Sequence, residues 1–145
     1  MTVRKVLLLL FILSACTQIK RGDKLSKADL ERLQKLNLLD EDEIILKFYS
    51  EFKNNVAGNF ITNKRIAKYW IDEKDNSRNQ ISYAYYRDID SIDTVYYAGA
   101  TYCAYMLITK IDKSNFKVCV DGKREEIKSF FEQAIDKWTQ AKNVR

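Results

Sequence analysis

The sequence predicts an α+β domain: a curled antiparallel sheet, or partly open barrel, of about seven strands with a C-terminal amphipathic helix. Three observations predict it. Hydrophobic residues make up 46% of the 145 residues and charged residues 31%, as in folded domains. Short runs rich in β-branched and aromatic residues follow one another from residue 44 to residue 120. An apolar face at helical spacing then occupies residues 123–142.

The N-terminal segment has the pattern of a lipoprotein signal peptide. A basic start over residues 1–5 precedes an apolar run over residues 6–13, which is followed by small residues and a cysteine. The order Leu-Ser-Ala-Cys resembles the lipobox of bacterial lipoproteins. The resemblance implies that residues 1–15 are removed and that Cys16 carries a diacylglycerol and an N-acyl chain. The alternative is an ordinary secretory leader with an incidental cysteine.

A lipid on Cys16 predicts a protein bound to the cell membrane or the outer membrane and facing an extracytoplasmic compartment. The apolar run is too short for a spanning helix, which needs ~20 residues. Thr17 stands where Asp would resemble an inner-membrane retention signal, so the outer membrane is favoured if the source has one. The polar residues 16–26 are expected to serve as a tether.

A short helix is predicted next, within residues 27–41. Ser26 is a suitable N-cap, and Asp29 places a carboxylate in the first turn, where the helix dipole favours one. Leucines at approximately helical spacing form an apolar stripe. We expect this helix to pack on its own domain; an alternative is that it binds a partner.

Strands follow from residue 44 onward. The clearest hairpin turns at residues 63–64, because β-rich runs flank an asparagine that tolerates a tight turn. Pairing about that turn sets Ile61 opposite Ile66 and Ala57 opposite Trp70. The polar residues 72–79 form a loop. Alternation in the next strand places Ile81, Tyr83 and Tyr85 on one face, with Ser82 and Ala84 on the other.

Two cysteines remain after Cys16. A hairpin centred on residues 112–115 sets Cys119 opposite Ile108 or Thr109. Cys103 then lies several residues farther along its strand, beyond the ~4.4–6.8 Å Cα separation of a disulfide. Although an oxidising compartment favours a disulfide, this register predicts two separate thiols in or near the core.

The last element is an amphipathic helix. Its apolar residues recur at positions i, i+3, i+4, i+7, i+8 and i+11, which places them on one face: Ile127, Phe130, Phe131, Ala134, Ile135 and Trp138. Glutamates in the first turn and lysines near the end match the helix dipole. Such a helix is expected to cover an open end of the sheet.

Two motifs resemble bacterial pleckstrin-homology-like domains. The run ITNKRI at residues 61–66 is similar to a hairpin of those domains, and YRDIDSID at residues 86–93 looks like a motif that follows it later in their sequences. The C-terminal aromatic helix agrees with the same family. The resemblance implies a pleckstrin-homology-like domain over residues 42–142, with the N-terminal helix outside the family pattern.

Composition excludes several classes of function. The chain has no histidine, which rules out Ser-His-Asp triads and histidine zinc sites. Removing the leader leaves 23 basic and 20 acidic residues, a balance of about +3 that is too mild to indicate nucleic-acid binding. Asp88, Asp90 and Asp93 lack the spacing of a calcium loop and are expected to cap a solvated bend. We therefore expect no enzyme, metal or cofactor beyond the lipid on Cys16.

The candidate binding residues are two tyrosines and three basic residues: Tyr83, Tyr85, Lys64, Arg65 and Lys68. Aromatic faces and a basic rim suit a ligand or a partner, although half-buried strands also favour tyrosine. The sequence predicts a module that binds an envelope protein or peptide, with strand addition at a sheet edge as the mode. The alternative is a carrier or sensor that holds a small apolar ligand or lipid inside the curled sheet.

Overall fold

The structure is a computed structural model that describes residues 18–100 and 102–144. Within these residues the chain forms eight strands and two α-helices, joined in part by 3-10 turns. In chain order they are β1 Lys20–Arg21, α1 Lys27–Lys35, β2 Ile45–Tyr49, β3 Ala57–Thr62, β4 Arg65–Trp70, β5 Gln80–Tyr85, β6 Ile89–Val95, β7 Ala104–Lys110, β8 Asn115–Val120 and α2 Arg124–Asn143.

The strands form two antiparallel sheets. One contains β1 to β5 in sequential order, and the other contains β6, β7 and β8. The predicted hairpin register is confirmed, because Ile61 pairs with Ile66 and Ala57 pairs with Trp70. The α+β class, the antiparallel succession and the C-terminal helix are confirmed as well, and the strands do not close into a barrel.

The main core lies between the two sheets and α2. Phe130, Phe131 and Ala134 of α2 are fully buried there, as the helical spacing predicted. Ile66 and Met106 come from the five-stranded and the three-stranded sheet, respectively, and meet in the same cluster. α2 therefore closes the inner space between the sheets with aromatic side chains.

The outer face of the five-stranded sheet is covered by the N-terminal segment. Ser26 caps α1 and exchanges hydrogen bonds with Asp29, as expected. Leu33 of α1 and Leu38 pack with Phe48 and other residues of the sheet in a second buried cluster. The prediction that this helix packs on its own domain is thus confirmed.

Part of the predicted tether belongs to the folded body. β1 pairs with β2, and the 3-10 turn Gly22–Lys24 follows it. A Cβ atom on Gly22 would lie 1.9 Å from the carbonyl oxygen of Ile45, so only glycine permits this close approach. Leu25 is buried beneath the sheet. The ordered domain therefore begins well before residue 27.

The prediction of separate thiols is wrong, because Cys103 and Cys119 form a disulfide with a Cα–Cα distance of 5.6 Å. The hairpin register differs from the expected one. Thr109 pairs with Asn115, which places Cys119 opposite Tyr105, only two residues from Cys103. The expected turn was centred slightly too late in the chain, which put Cys119 opposite Ile108 or Thr109 and not opposite Tyr105.

Cys16, the predicted lipid attachment residue, lies outside the described residues, as does the predicted signal peptide, residues 1–15. Neither described helix combines the length and the apolar composition that crossing a bilayer requires.

Candidate functional site

The candidate site lies at one edge of the five-stranded sheet, along β5. Among the described strands, β5 is hydrogen-bonded only to β4, so its other backbone edge is unpaired. This edge opens into a groove of about 760 Å³. Tyr83 and Tyr85 line one side, and Lys110, Asp112 and Asn115 of the β7–β8 hairpin line the other.

Strand alternation explains why the two tyrosines share a surface. Tyr83 and Tyr85 stand on the outer face of β5, whereas Ala84 between them is buried in the main core. Their rings meet edge to face, with centroids 5.8 Å apart. Tyr83 keeps 40% of its surface exposed, and Ile81 on the same face keeps 39%. These residues give the free edge an apolar, aromatic surface.

Arg65 contacts the rings of Tyr83 and Tyr85 from the buried side of this surface. Its guanidinium carbon lies 4.7 Å from the ring centroid of Tyr85 and 5.2 Å from that of Tyr83. These are cation–π distances, and burial strengthens such contacts. Because Arg65 is 1% exposed, the cation fixes the two rings instead of facing a ligand itself.

The charge of Arg65 is balanced by buried Glu43. The Arg65 Nε atom donates to both carboxylate oxygens of Glu43, at 2.9 and 3.1 Å, and Nη2 donates to Oε2 at 2.6 Å. The Arg65 nitrogens also donate to Asp40 Oδ1 at 2.9 Å and to the Asn37 carbonyl oxygen at 3.2 Å. Burial lowers the pKa of Arg65, but the hydrogen bonds and charge of Glu43 outweigh it and raise that pKa.

Lys64 is also engaged by carboxylates. Its Nζ atom lies 2.7 Å from Asp42 Oδ1 and 3.5 Å from Asp40 Oδ2. The hydrogen bond to Asp42 raises the pKa of Lys64 and lowers the pKa of Asp42. Two acidic neighbours make Lys64 a poor site for an anionic headgroup.

Lys68 lies apart from the other four residues. On β4 it alternates with Arg65 and Tyr69 and therefore points to the opposite face of the sheet. There it lines a separate groove of about 390 Å³ with Glu51 and Lys117. The fold thus brings together Tyr83, Tyr85 and Arg65, with Lys64 adjacent, and separates Lys68 from them.

Sequence reasoning did not select the other residues of the groove. Ile81 carried a usable signal, because it alternates with Tyr83 and Tyr85. No such signal existed for Lys110, Asp112 and Asn115, because only the packing of the two sheets brings the β7–β8 hairpin beside β5. Glu43 was also missed, since it is 22 residues from Arg65 in the sequence.

The interior offers little support for a carrier. Ile66, Met106 and Phe130, which face the space between the sheets, have no exposed surface. Further grooves of about 660 and 600 Å³ lie along α2 and open to solvent. Within the described residues, no group of three or more cysteine, aspartate or glutamate side chains is arranged to hold a metal ion.

Neither protein-family models nor curated proteins match the chain. Among solved structures, it is similar to a DUF1696 family protein with a pleckstrin-homology domain from Shewanella loihica PV-4. The two share 15% sequence identity with a TM-score of 0.46, over 69% of this chain and 90% of that one.

Proposed function

We propose that the protein is a lipid-anchored, non-enzymatic module that binds an extended polypeptide of the cell envelope. The segment adds to the five-stranded sheet as a further strand beside β5. One observation carries this proposal: the backbone edge of β5 is unpaired and opens into a groove beside the Tyr83–Tyr85 pair. An exposed edge is a template for another chain, and aromatic rings at alternate positions select its side chains.

Preorganisation favours binding at this edge. Tyr83 and Tyr85 are held by contacts with each other and with buried Arg65, so little side-chain freedom remains to be lost. The facing hairpin offers Lys110 and Asp112 to polar groups of the segment. We expect a segment with apolar residues at every second position, which would contact Ile81 and Tyr83.

The anchor is supported by the lipobox and by an independent feature. The disulfide between Cys103 and Cys119 is typical of proteins in oxidising compartments outside the cytoplasm. A lipid on Cys16 would keep the module at an envelope membrane, where it meets its partner. One acyl chain gives only reversible membrane binding, whereas several give a stable anchor.

Site-specific photo-crosslinking in intact cells tests the binding edge. A benzoylphenylalanine at position 83 should give a discrete crosslinked product, and the same residue at position 97 is the control. Tyr97 is 83% exposed and lies outside the groove. A synthetic peptide of the crosslinked segment should then protect the amides of residues 80–85 from hydrogen exchange. Equal crosslinking at both positions, or protection elsewhere, would contradict strand addition.

A separate experiment tests the anchor. Cys16→Ser should abolish the added lipid mass and shift the protein from the membrane to the soluble fraction. Unchanged intact mass and unchanged fractionation would show that the chain is not a lipoprotein. The crosslinking result does not depend on this outcome, so the two parts of the proposal fail independently.

A further inference from the structure

We propose that the exposed aromatic pair Phe52 and Trp70 lies in the interface of the bilayer, as a second membrane contact beside the lipid on Cys16. This inference rests on the proposed lipid anchor. Phe52 is 57% exposed and Trp70 is 42% exposed, and their stacked rings have centroids 6.5 Å apart. The peptide-binding edge does not use this pair.

The direction of β1 places the anchor at the same end of the sheet. Lys20 pairs with Phe48 and Arg21 with Lys47, so the chain runs toward the β2–β3 loop as it is followed back to its start. In an antiparallel sheet, this end also contains the first residue of β3 and the last of β4, which are the paired Ala57 and Trp70. The anchored terminus and the aromatic pair therefore share one end.

The short segment between Cys16 and β1 limits the distance between the bilayer and this end of the sheet. Cys16 precedes Lys20 by four residues, which span at most about 14 Å when fully extended. Phe52 follows Phe48, the strand partner of Lys20, by the same number of residues. A lipid on Cys16 thus brings this end of the sheet to the membrane surface and leaves no long tether that would hold it away.

The chemistry of this end suits the bilayer interface. Tryptophan is enriched where membranes meet water, because its ring is apolar and its indole N–H is polar. The Nζ atom of Lys53 lies 5.3 Å from the centroid of the Phe52 ring. A lysine in this position extends its charge toward water while its methylene groups cover apolar surface.

Charge distinguishes this contact from a phosphate-binding site. The loops at this end, residues 50–56 and 71–79, contain three basic and four acidic residues: Lys53, Lys74, Arg78, Glu51, Asp72, Glu73 and Asp75. Asp75 also pairs with Arg78 at 3.3 Å. These two loops carry no net positive charge, whereas Lys68 and Lys117 line a groove with Trp70 and add basic groups beside them. We expect the aromatic rings, and not these basic groups, to make the contact, so that it does not require anionic lipids.

This orientation leaves the peptide-binding edge accessible. Tyr85 pairs with Arg65 at the opposite end of β4 and β5 from Trp70. The part of the groove beside Tyr85 and Asp112 therefore faces away from the bilayer. The membrane contact lies at the Gln80 end of β5, and the binding edge extends from there to Tyr85, away from the bilayer.

Fluorescence quenching of the two tryptophans, Trp70 and Trp138, tests the contact. The lipidated full-length protein is reconstituted in phosphatidylcholine vesicles that contain lipids brominated near the headgroup. In a Trp138→Phe background, only Trp70 emits, and it should be quenched at least about twofold more than Trp138 in the matched Trp70→Phe variant. Phe52→Ser should reduce the quenching of Trp70, whereas adding phosphatidylserine or 0.5 M salt (about a 4 Å Debye length) should not change it.

The outcomes separate the contact from the anchor. If the protein stays on the vesicles with equal quenching of Trp70 and Trp138, the anchor stands and the aromatic contact is wrong. Quenching that appears only with phosphatidylserine would replace the aromatic contact with an electrostatic one and overturn it. If the protein has no acyl mass and does not float with the vesicles, both the anchor and this contact are wrong.

Discussion

The two faces of the five-stranded sheet are built differently. The inner face packs against the three-stranded sheet and α2 through apolar side chains such as Ile66 and Phe130. The outer face packs against α1, and the buried ion pair of Arg65 and Glu43 adjoins that packing. The packing of the inner face therefore follows from hydrophobic periodicity, whereas the outer face also depends on the ion pair between Arg65 and Glu43.

This difference has an energetic consequence. Apolar packing tolerates exchanges of similar volume, because no side chain depends on a single partner. A buried charge does depend on one, since losing its partner leaves it without solvent or counter-ion. The outer face should thus be the more sensitive to a conservative single substitution, such as one that removes a charge and keeps the side-chain size. The expected effects are given below from the largest to the smallest.

The largest effect is expected for Glu43→Gln. The change leaves Arg65 buried without its main counter-ion and should lower the free energy of unfolding by about 3–5 kcal/mol. Chemical denaturation followed by circular dichroism measures it. The control is Asp42→Asn, which removes an exposed partner of Lys64 and should cost less than about 1 kcal/mol.

A double variant sharpens the same comparison. Glu43→Leu combined with Arg65→Met replaces the ion pair with apolar side chains and should recover most of the lost stability. The rings of Tyr83 and Tyr85 would lose their cation, so the proposed peptide binding should weaken while the fold remains. If Glu43→Gln and Asp42→Asn had equal effects, the outer face would not depend on the buried pair.

An intermediate effect is expected from the disulfide beside the inner core. It closes a loop with a sequence separation of 16 residues, so reduction should lower stability by about 3 kcal/mol. Denaturation with and without a thiol reductant measures the difference. The variant with Cys103→Ser and Cys119→Ser should match the reduced protein and should not respond to the reductant. If the reductant did not change the stability of the natural chain, the two cysteines would be separate thiols, as the sequence predicted.

The smallest effect is expected at the start of α1. Ser26→Ala removes the N-cap hydrogen bond to the Asp29 amide and should cost about 1 kcal/mol. Hydrogen exchange should show faster opening of α1, with the amides of α2 unchanged. Equal acceleration in both helices would mean that the outer cover and the inner core open as one unit.

The same cap predicts a dependence on pH. Burial raises the pKa of Asp29, but hydrogen bonds from Ser26, Asn54 and Arg32 outweigh it and lower that pKa. A lowered pKa means that the stabilisation by Asp29 is complete above the ordinary value of 3.8 and is lost as the pH falls through the lowered value. Stability profiles of the natural chain and of Asp29→Asn should therefore converge as the pH falls below this lowered pKa.

Local patterns accounted for much of the architecture. Helical spacing located α2 and its buried face, and the Ser26–Asp29 pattern located the start of α1. The hairpin around residues 63–64 was assigned its correct register, because an asparagine turn flanked by two clear β-rich runs leaves few alternatives. The β7–β8 register was missed because its polar turn permits several centres, and the disulfide was missed with it.

The candidate site was accessible to sequence reasoning only in part. Alternation in β5 placed Tyr83 and Tyr85 on one face, but it gave no reason to regard Arg65 as their buried support. Glu43 and Arg65 are far apart in the sequence, and a basic residue in a strand more often faces solvent than the interior. The groove likewise needs two sheets in contact.

The sequence by itself determined most of the elements: which residues are helical and which alternate as strands. These follow from interactions between near neighbours along the chain. Only the tertiary structure decided which charges are buried together and that the edge of β5 opens into a groove. Those outcomes depend on contacts between distant segments, and a local pattern carries no information about a partner that only folding brings into reach.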